Sequence, residues 1–327
     1  MRVCVYGAGA IGGHLAARLV ADGKAEVSVV ARGAHLAAIR ERGIVLETGG
    51  AQIGGLPAAA TDDPATLPPQ DIVFVTLKAS STPAHADRLA RLTAPAGAAV
   101  FIANGIPWWW RHGLADPGPL PPVDPDGALW TRFGPSRALG GVVYSGNEVV
   151  RPGVVIHRGS NRWPVGEPDG TLSDRARAVA DLMVAAGLAA EAVPDIRHQV
   201  LRKLMRNVSG NPISALTRHK DGPSAPAAGL LDVGREMVRE ALAVGAAQGV
   251  DLRGEIDPKA IVVEGEVSSG PSSMLQDALA ERPLEVEPIL GQLQAFGRET
   301  GVATPTIDVV AALLRGLDLS IRQKRPA

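Results

Sequence analysis

Two short stretches of this chain carry residue types that could do chemistry. The first is "GAGAIGG", which sets Gly7, Gly9 and Gly12 in GxGxxG spacing. It follows the apolar run "RVCVY" and opens a helical pattern, the context in which such a loop cradles a dinucleotide. Gly7 permits the tight turn, Gly9 lets backbone approach a pyrophosphate, and Gly12 allows close helix packing. The helix start offers unpaired N–H groups and partial positive charge to phosphates. Gly7, Ala8, Gly9, Ala10, Ile11 and Gly12 are therefore the candidate cofactor cradle. The second stretch is "KLMRNVSGNP", with Lys203, Asn207 and Asn211 at intervals of four. On a helix such positions drift by only about 40° per step, so the three polar groups share one side, either a solvated face or a site.

The nucleotide is read from the end of the second apolar run. A carboxylate there would serve the ribose 2′-OH of NAD, whereas "SVVARGAH" presents Arg32, which can pair with a 2′-phosphate. NADP(H) is the expected cofactor, with a plain surface arginine as the alternative. Lys78 and Asn104 end two later apolar runs, where the carboxyl ends of parallel strands face a ligand crevice; each is otherwise an ordinary loop residue.

The elements that must position these residues alternate strand and helix in the first half. "RVCVYG", "AEVSVVAR", "DIVFVTLK" and "AAVFIANG" read as buried strands, separated by helical "AIGGHLAARLVADG" and "STPAHADRLARLTAPAG". This pattern predicts an α/β, Rossmann-type doubly wound parallel sheet. A more β-like segment, "LGGVVYSGNEVVRPGVVIHRG", follows. From Ser173 onward the apolar spacing is helical, and a boundary near Pro194 divides a Rossmann-like domain, 1–193, from an all-α domain, 194–327. Pro212 is expected to kink or end the helix that carries Asn211.

Composition narrows the partners. The chain has 327 residues, 46% hydrophobic and 20% charged, which describes an ordinary globular protein of about two domains. A formal charge of -1 supplies no basic field for nucleic acid or anionic membranes, so a small neutral or anionic metabolite is the expected partner. The single cysteine, Cys4, excludes an intramolecular disulfide framework, and the seven histidines lack ligand spacing, so no metal site is expected. With no membrane-length apolar run and no export signal, a cytoplasmic location is expected.

"VYGAGAIGG", "VTLKA", "ANG", "LRKLMRNVSGNPISALT" and "SSMLQDALAERPLEVEPILG" occur in the order and spacing of ketopantoate reductases (2-dehydropantoate 2-reductases), which the chain resembles over nearly its whole length. The resemblance implies an N-terminal Rossmann domain, an all-α C-terminal domain and NADPH-dependent reduction of a 2-oxo acid. It further implies that Lys203 is the catalytic acid and that Asn207, Asn211 and Ser273 bind substrate. Asn104 would lie between nicotinamide and substrate, Lys78 beside the cofactor, and Glu285 near both ligands. The chemistry agrees: hydride arriving at a 2-oxo carbon leaves negative charge on oxygen, which a lysine can stabilise and protonate, while amides serve a carboxylate and an alcohol. Ser273 with Gln276 also fits a helix capping box, and Glu285, after Pro283, fits the first turn of a helix.

The departure from the family pattern follows Asn104. A Pro/Gly-rich insert, residues 105–135, holds Trp108, Trp109, Trp110 and Trp130, four of the five tryptophans. It is expected to line or cover the substrate pocket; a subunit interface in a homodimer, or plain packing, are its alternatives. Two other functions stay open: reduction of a bulkier 2-oxo acid, and an NADP(H)-binding sensor or interaction protein without turnover.

Overall fold

The computed structural model describes residues 1–268 and 270–324. Contacts divide them into two units, one of Met1–Ala103 with Pro107–Ile196, the other of Asn104–Ile106 with the chain from Arg197 onward.

The first unit is built on β1 (Arg2–Tyr6), α1 (Ala10–Asp22), β2 (Glu26–Val30), α2 (Gly33–Arg42), the hairpin β3 (Ile44–Thr48) and β4 (Ala51–Gly55), β5 (Ala59–Thr61) and β6 (Gln70–Val75). It continues through α3 (Ala86–Leu92), β7 (Thr93–Ile102), β8 (Ala138–Gly141), β9 (Tyr144–Arg151), β10 (Val154–Gly166), α4 (Asp174–Ala185) and β11 (Ala189–Ala192). The described strands form one sheet in the order β4-β3-β10-β8-β7-β6-β1-β2-β5, with β9 and β11 also paired to β10. From β8 to β5 every neighbour is parallel, which includes the four strands expected from the alternating apolar runs, β1, β2, β6 and β7. The sheet then turns mixed, because β10 runs antiparallel to β8 and β9 and parallel to β3. The β3–β4 hairpin lacks a strong alternating signature; its turn is Gly49-Gly50, both at positive φ.

The expected helix over "STPAHADRLARLTAPAG" is shorter in the structure. Only Ala86–Leu92 is α-helical, and Thr93 already pairs with Gln70 as the start of β7. Pro83 and Pro95 bracket the segment and deny it helical N–H groups.

One face of the sheet buries Val3, Val5, Leu15, Leu19, Ile39, Phe74 and Val100. Set in this apolar layer is His14, fully buried on α1. Arg18 Nε donates to its Nε2 at 2.8 Å, so the ring proton sits on Nδ1 and is donated to Asn147 Oδ1 at 2.7 Å. Burial pushes the imidazole down to about 3, Asn147 opposes the shift, and His157 and Arg18 add to it. The unfolded chain therefore binds a proton near pH 6.5 that the folded chain refuses until about pH 3. Stability contributed by neutral His14 is complete above pH 6.5 and declines as pH falls, by about 1.4 kcal/mol per pH unit at most. Denaturant melts at pH 6.5 and pH 5 should show the parent losing about 1.6 kcal/mol more than His14→Phe, each referred to its own value at pH 6.5. Equal losses would mean that His14 does not carry this dependence.

Three of the insert's four tryptophans are buried in the first unit, and Trp130 is half-buried. Trp108, Trp109 and Trp110 are 5%, 1% and 0% exposed and belong to the first unit's own packing. Trp108 meets Phe101 and Phe133 edge to face, with centroids 5.1 and 6.0 Å apart. Trp109 lies on Gly140, where a Cβ would fall 2.4 Å from its ring. Buried Asp124 accepts the N–H groups of Leu129 and Trp130 and closes the segment. For Trp108, Trp109 and Trp110 the structure shows the packing alternative, since burying large apolar rings within the unit removes their surface from water.

The second unit contains α5 (Ile196–Thr217, all but its first residue), α6 (Leu230–Ala247), α7 (Pro258–Ile261), α8 (Ser273–Leu279), α9 (Gln292–Thr300) and α10 (Pro305–Gln323). α6 packs on α7, α9 and α10. Buried Glu240 of α6 accepts from Thr306 and Ile307 N–H at 2.8 and 2.9 Å, placing a carboxylate at the start of α10. Of the two expected effects of Pro212, ending the helix does not occur: α5 continues to Thr217. The proline deletes one N–H, but Val208, Ile213 and Ala215 on either side are buried and hold the helix through it. No described helix is long and apolar enough to cross a membrane.

Candidate active site

The glycine cradle is built as its spacing demands. Gly7 has φ +108°, and a Cβ on Gly12 would lie 2.1 Å from the Gly7 carbonyl and 2.4 Å from Thr76 Oγ1. Only glycine at residue 12 lets α1 approach β1 and β6 this closely. A Cβ on Gly9 would meet nothing within 4 Å, so backbone there opens onto free space. Gly7 and Ala8 N–H donate to the Val30 carbonyl. The first helical residues, Ala10, Ile11 and Gly12, present N–H groups that no helical bond reaches. Open space, a helix start and apolar strands fit a dinucleotide's phosphates. Arg32 is exposed just past β2 as the cap residue of α2, and Lys78 lies just past β6, half-buried.

The second unit assembles the chemistry. Lys203 Nζ donates to Asn104 Oδ1 at 2.8 Å, and Asn104 Nδ2 donates to Glu285 Oε2 at 3.2 Å, which sets the amide's orientation. Residues 99 and 181 positions from Asn104 thus meet on its side chain. Gly105 makes this possible: its φ is +84°, and a Cβ would fall 2.2 Å from the Pro288 carbonyl, which accepts from Ile106 N–H at 2.7 Å. The chain at 104–106 lies flat against the segment after Glu285. Desolvation pushes the Lys203 ammonium down to about 8, with Glu285 opposing it.

Asn207 and Asn211 follow Lys203 on successive turns of α5; Asn207 is half-buried and Asn211 buried. Glu285 is buried and stands just ahead of the helical turn that begins at Val286, not inside it. Ser273 is the first residue of α8, and the cap is its neighbour: Ser272 Oγ accepts from Leu275 N–H at 3.2 Å. The capping-box expectation at Ser273 is corrected accordingly, since Gln276 reaches back to the Pro271 carbonyl. The cap leaves the Ser273 hydroxyl uncommitted to the helix end. Ser272 also bonds buried Ser214 of α5 at 2.6 Å, and Ser214 donates to the Asn211 carbonyl, so this pair ties the start of α8 to α5 beside Asn211. The positioning pair Ser214 and Ser272 has no signal in the sequence beyond the "SSM" doublet.

A Rossmann-type unit with a phosphate cradle, and a helical unit with a desolvated lysine, define a nicotinamide-dependent oxidoreductase acting on a CH–OH group. The chain belongs to the ketopantoate reductase family: the model "Ketopantoate reductase PanE/ApbA" matches residues 3–170, and "Ketopantoate reductase PanE/ApbA C terminal" matches 195–318. It is 41% identical to the 2-dehydropantoate 2-reductase of Mesorhizobium japonicum over 97% of this chain and 98% of that one. A solved structure from Ralstonia solanacearum superposes with a TM-score of 0.90 at 34% identity, covering 98% of each chain. The 2-dehydropantoate 2-reductase of Methylococcus capsulatus superposes with a TM-score of 0.81 at 26% identity, over 100% of this chain and 99% of that one.

Proposed function

We propose that the chain reduces 2-dehydropantoate (ketopantoate) to pantoate with NADPH, Lys203 acting as general acid. The observation that carries this reading is the Lys203–Asn104–Glu285 arrangement, in which one lysine is oriented by an amide and shifted to about 8. A lysine of that acidity is charged at neutral pH and gives up its proton more readily than a solvated one. The nicotinamide, when bound, supplies hydride to the 2-oxo carbon. Lys203 hydrogen-bonds the substrate oxygen in place of Asn104 and then transfers a proton to it. Asn207, Asn211 and Ser273 supply donors and acceptors for the carboxylate and the hydroxyl. The cradle from Gly7 to Gly12 binds the pyrophosphate, Lys78 adds positive charge near the cofactor, and Arg32 pairs with the 2′-phosphate. The enzyme works in the cytoplasm, on a small metabolite.

A panel of 2-oxo acids assayed with NADPH tests the whole reading. Ketopantoate should have the highest kcat/KM. Preference for aromatic acids would replace the substrate, although the tryptophans that favoured a bulky acid are packed away in the first unit. No turnover of any acid would leave a binding protein. Arg32→Ala should raise the KM for NADPH by roughly ten- to a hundredfold, the effect of losing a charge-assisted pair, with kcat much less changed. Equal use of NADH and NADPH by the parent would refute the cofactor assignment.

A further inference from the structure

Most glycines inside the helices of the second unit are explained by contact. A Cβ on Gly234 would fall 2.6 Å from Pro223, one on Gly245 2.9 Å from Leu201, and one on Gly297 2.7 Å from the Val302 carbonyl. Gly210 of α5 is different. A Cβ there would meet nothing within 4 Å, and its φ is not positive, so neither packing nor backbone conformation asks for glycine. Glycine is among the residues least suited to a helix interior, and alanine would be favoured at such a place. Gly316 of α10 is also open, but it is exposed, whereas Gly210 is half-buried between buried Val208, Ser209 and Asn211.

The open space lies on the face that carries the candidate chemistry. At the helical period Gly210 projects about 20° from Lys203 and about 60° from Asn207. A side chain there would lean back toward the helix start, over the turn that holds Asn207, and Asn211 leans the same way. Asn211 is 8% exposed, yet among the described residues no hydrogen bond reaches its side-chain amide. On the other flank the Gly222 turn closes in, where a Cβ would fall 3.1 Å from the Gly210 carbonyl and 3.5 Å from Ser214 Cβ. The Ser214–Ser272 bond joins this wall to the start of α8, where Ser273 stands.

We infer that Gly210 is a specificity-determining residue: its missing side chain leaves room for the branched carbon next to the ketone, so that a 2-oxo acid with two methyl groups on C3 is accepted. The inference rests on the ketopantoate reading and deepens it. On that reading the polar groups of the substrate find Lys203 and the two amides, but the quaternary carbon can bond to none of them and needs volume beside them. An alanine methyl at residue 210 would take that volume and leave every polar partner in place.

The test compares the parent with Gly210→Ala and Gly210→Leu, in thermal melts and in kcat/KM with NADPH for ketopantoate and for 4-hydroxy-2-oxobutanoate, which lacks only the two methyls. Gly210→Ala should melt about 1–4 °C above the parent, since a good helix former enters open space. It should lower kcat/KM for ketopantoate by about ten- to two-hundredfold through KM, and lower it much less for the unbranched acid, so that the ratio between the acids falls by at least about tenfold. Gly210→Leu should lower that ratio further. A stabilised Gly210→Ala enzyme with the parental ratio overturns the inference, because the glycine then faces solvent alone. An equal fall for both acids, or a lower melting temperature, also overturns it, because the glycine then serves the helix and not the ligand. A parent that does not favour ketopantoate over the unbranched acid is a different result: it refutes the ketopantoate reading, and the inference with it.

Discussion

Lys203→Ala is expected to lower kcat by about 10²–10⁴ while the dinucleotide still binds and the fold survives. On the proposed mechanism the lysine's bond to the substrate oxygen strengthens as negative charge develops there, so its loss falls on the chemical step. Asn211→Ala should instead raise the substrate KM, because its hydrogen bond serves ground and transition states alike. The pH profile follows from the same group. Desolvation has moved the ammonium down to about 8, and the protonated form is the one that donates. The reductive rate should therefore be level below pH 7 and fall as pH rises through about 8. Stopped-flow oxidation of NADPH in a single turnover decides the matter: an unchanged hydride-transfer rate in Lys203→Ala would remove the lysine from the mechanism.

Gly12→Ala is expected to damage both binding and folding, and Gly9→Ala binding alone. The new methyl at residue 12 would overlap the Gly7 carbonyl and Thr76 Oγ1, which are themselves bonded at 2.6 Å. Backbone cannot yield as a side-chain end does, so α1 must move off β1, at a cost of about 1–3 kcal/mol and a few degrees of Tm. A displacement of the helix start by about 1 Å should weaken productive dinucleotide binding by about a hundredfold. At residue 9 the methyl meets nothing within 4 Å, so the melt should match the parent; on the proposed cofactor placement the methyl would meet the approaching phosphate, and affinity for the dinucleotide should fall. Thermal melts beside fluorescence titrations with NADPH separate the two. Parental affinity in Gly9→Ala would place the phosphates elsewhere.

What could be read along the chain is what depends on neighbours a few residues away. The GxGxxG turn is legible because a positive φ at Gly7 and a close approach at Gly12 are steric requirements of the glycines themselves. The alternation of apolar runs gave the parallel strands β1, β2, β6 and β7, and the helical period put Lys203, Asn207 and Asn211 on one side of α5. The same local rules left open whether Pro212 ends its helix and misplaced the cap of α8. A proline's preference costs one hydrogen bond, which buried neighbours outweigh, and two adjacent serines cannot be ranked as caps until the helix start is placed.

Contacts across long stretches of chain were decided by the tertiary structure alone. Asn104 ends the last strand of an alternating pattern, yet it packs with Lys203 and Glu285 in the second unit, because Gly105 lets the backbone bend against Pro288. The tryptophans gave no hint of direction: an apolar ring in a Pro/Gly-rich segment is consistent with a lid, an interface or a core, and only the packing of Trp108, Trp109 and Trp110, with Trp109 over Gly140, put those three in the core. Tyr6 read as one more apolar strand residue until His85 was brought to its hydroxyl. Sequence periodicity reports which way a side chain leaves its own backbone, whereas the pairing of charges and amides depends on which surfaces come together once the whole apolar area is buried.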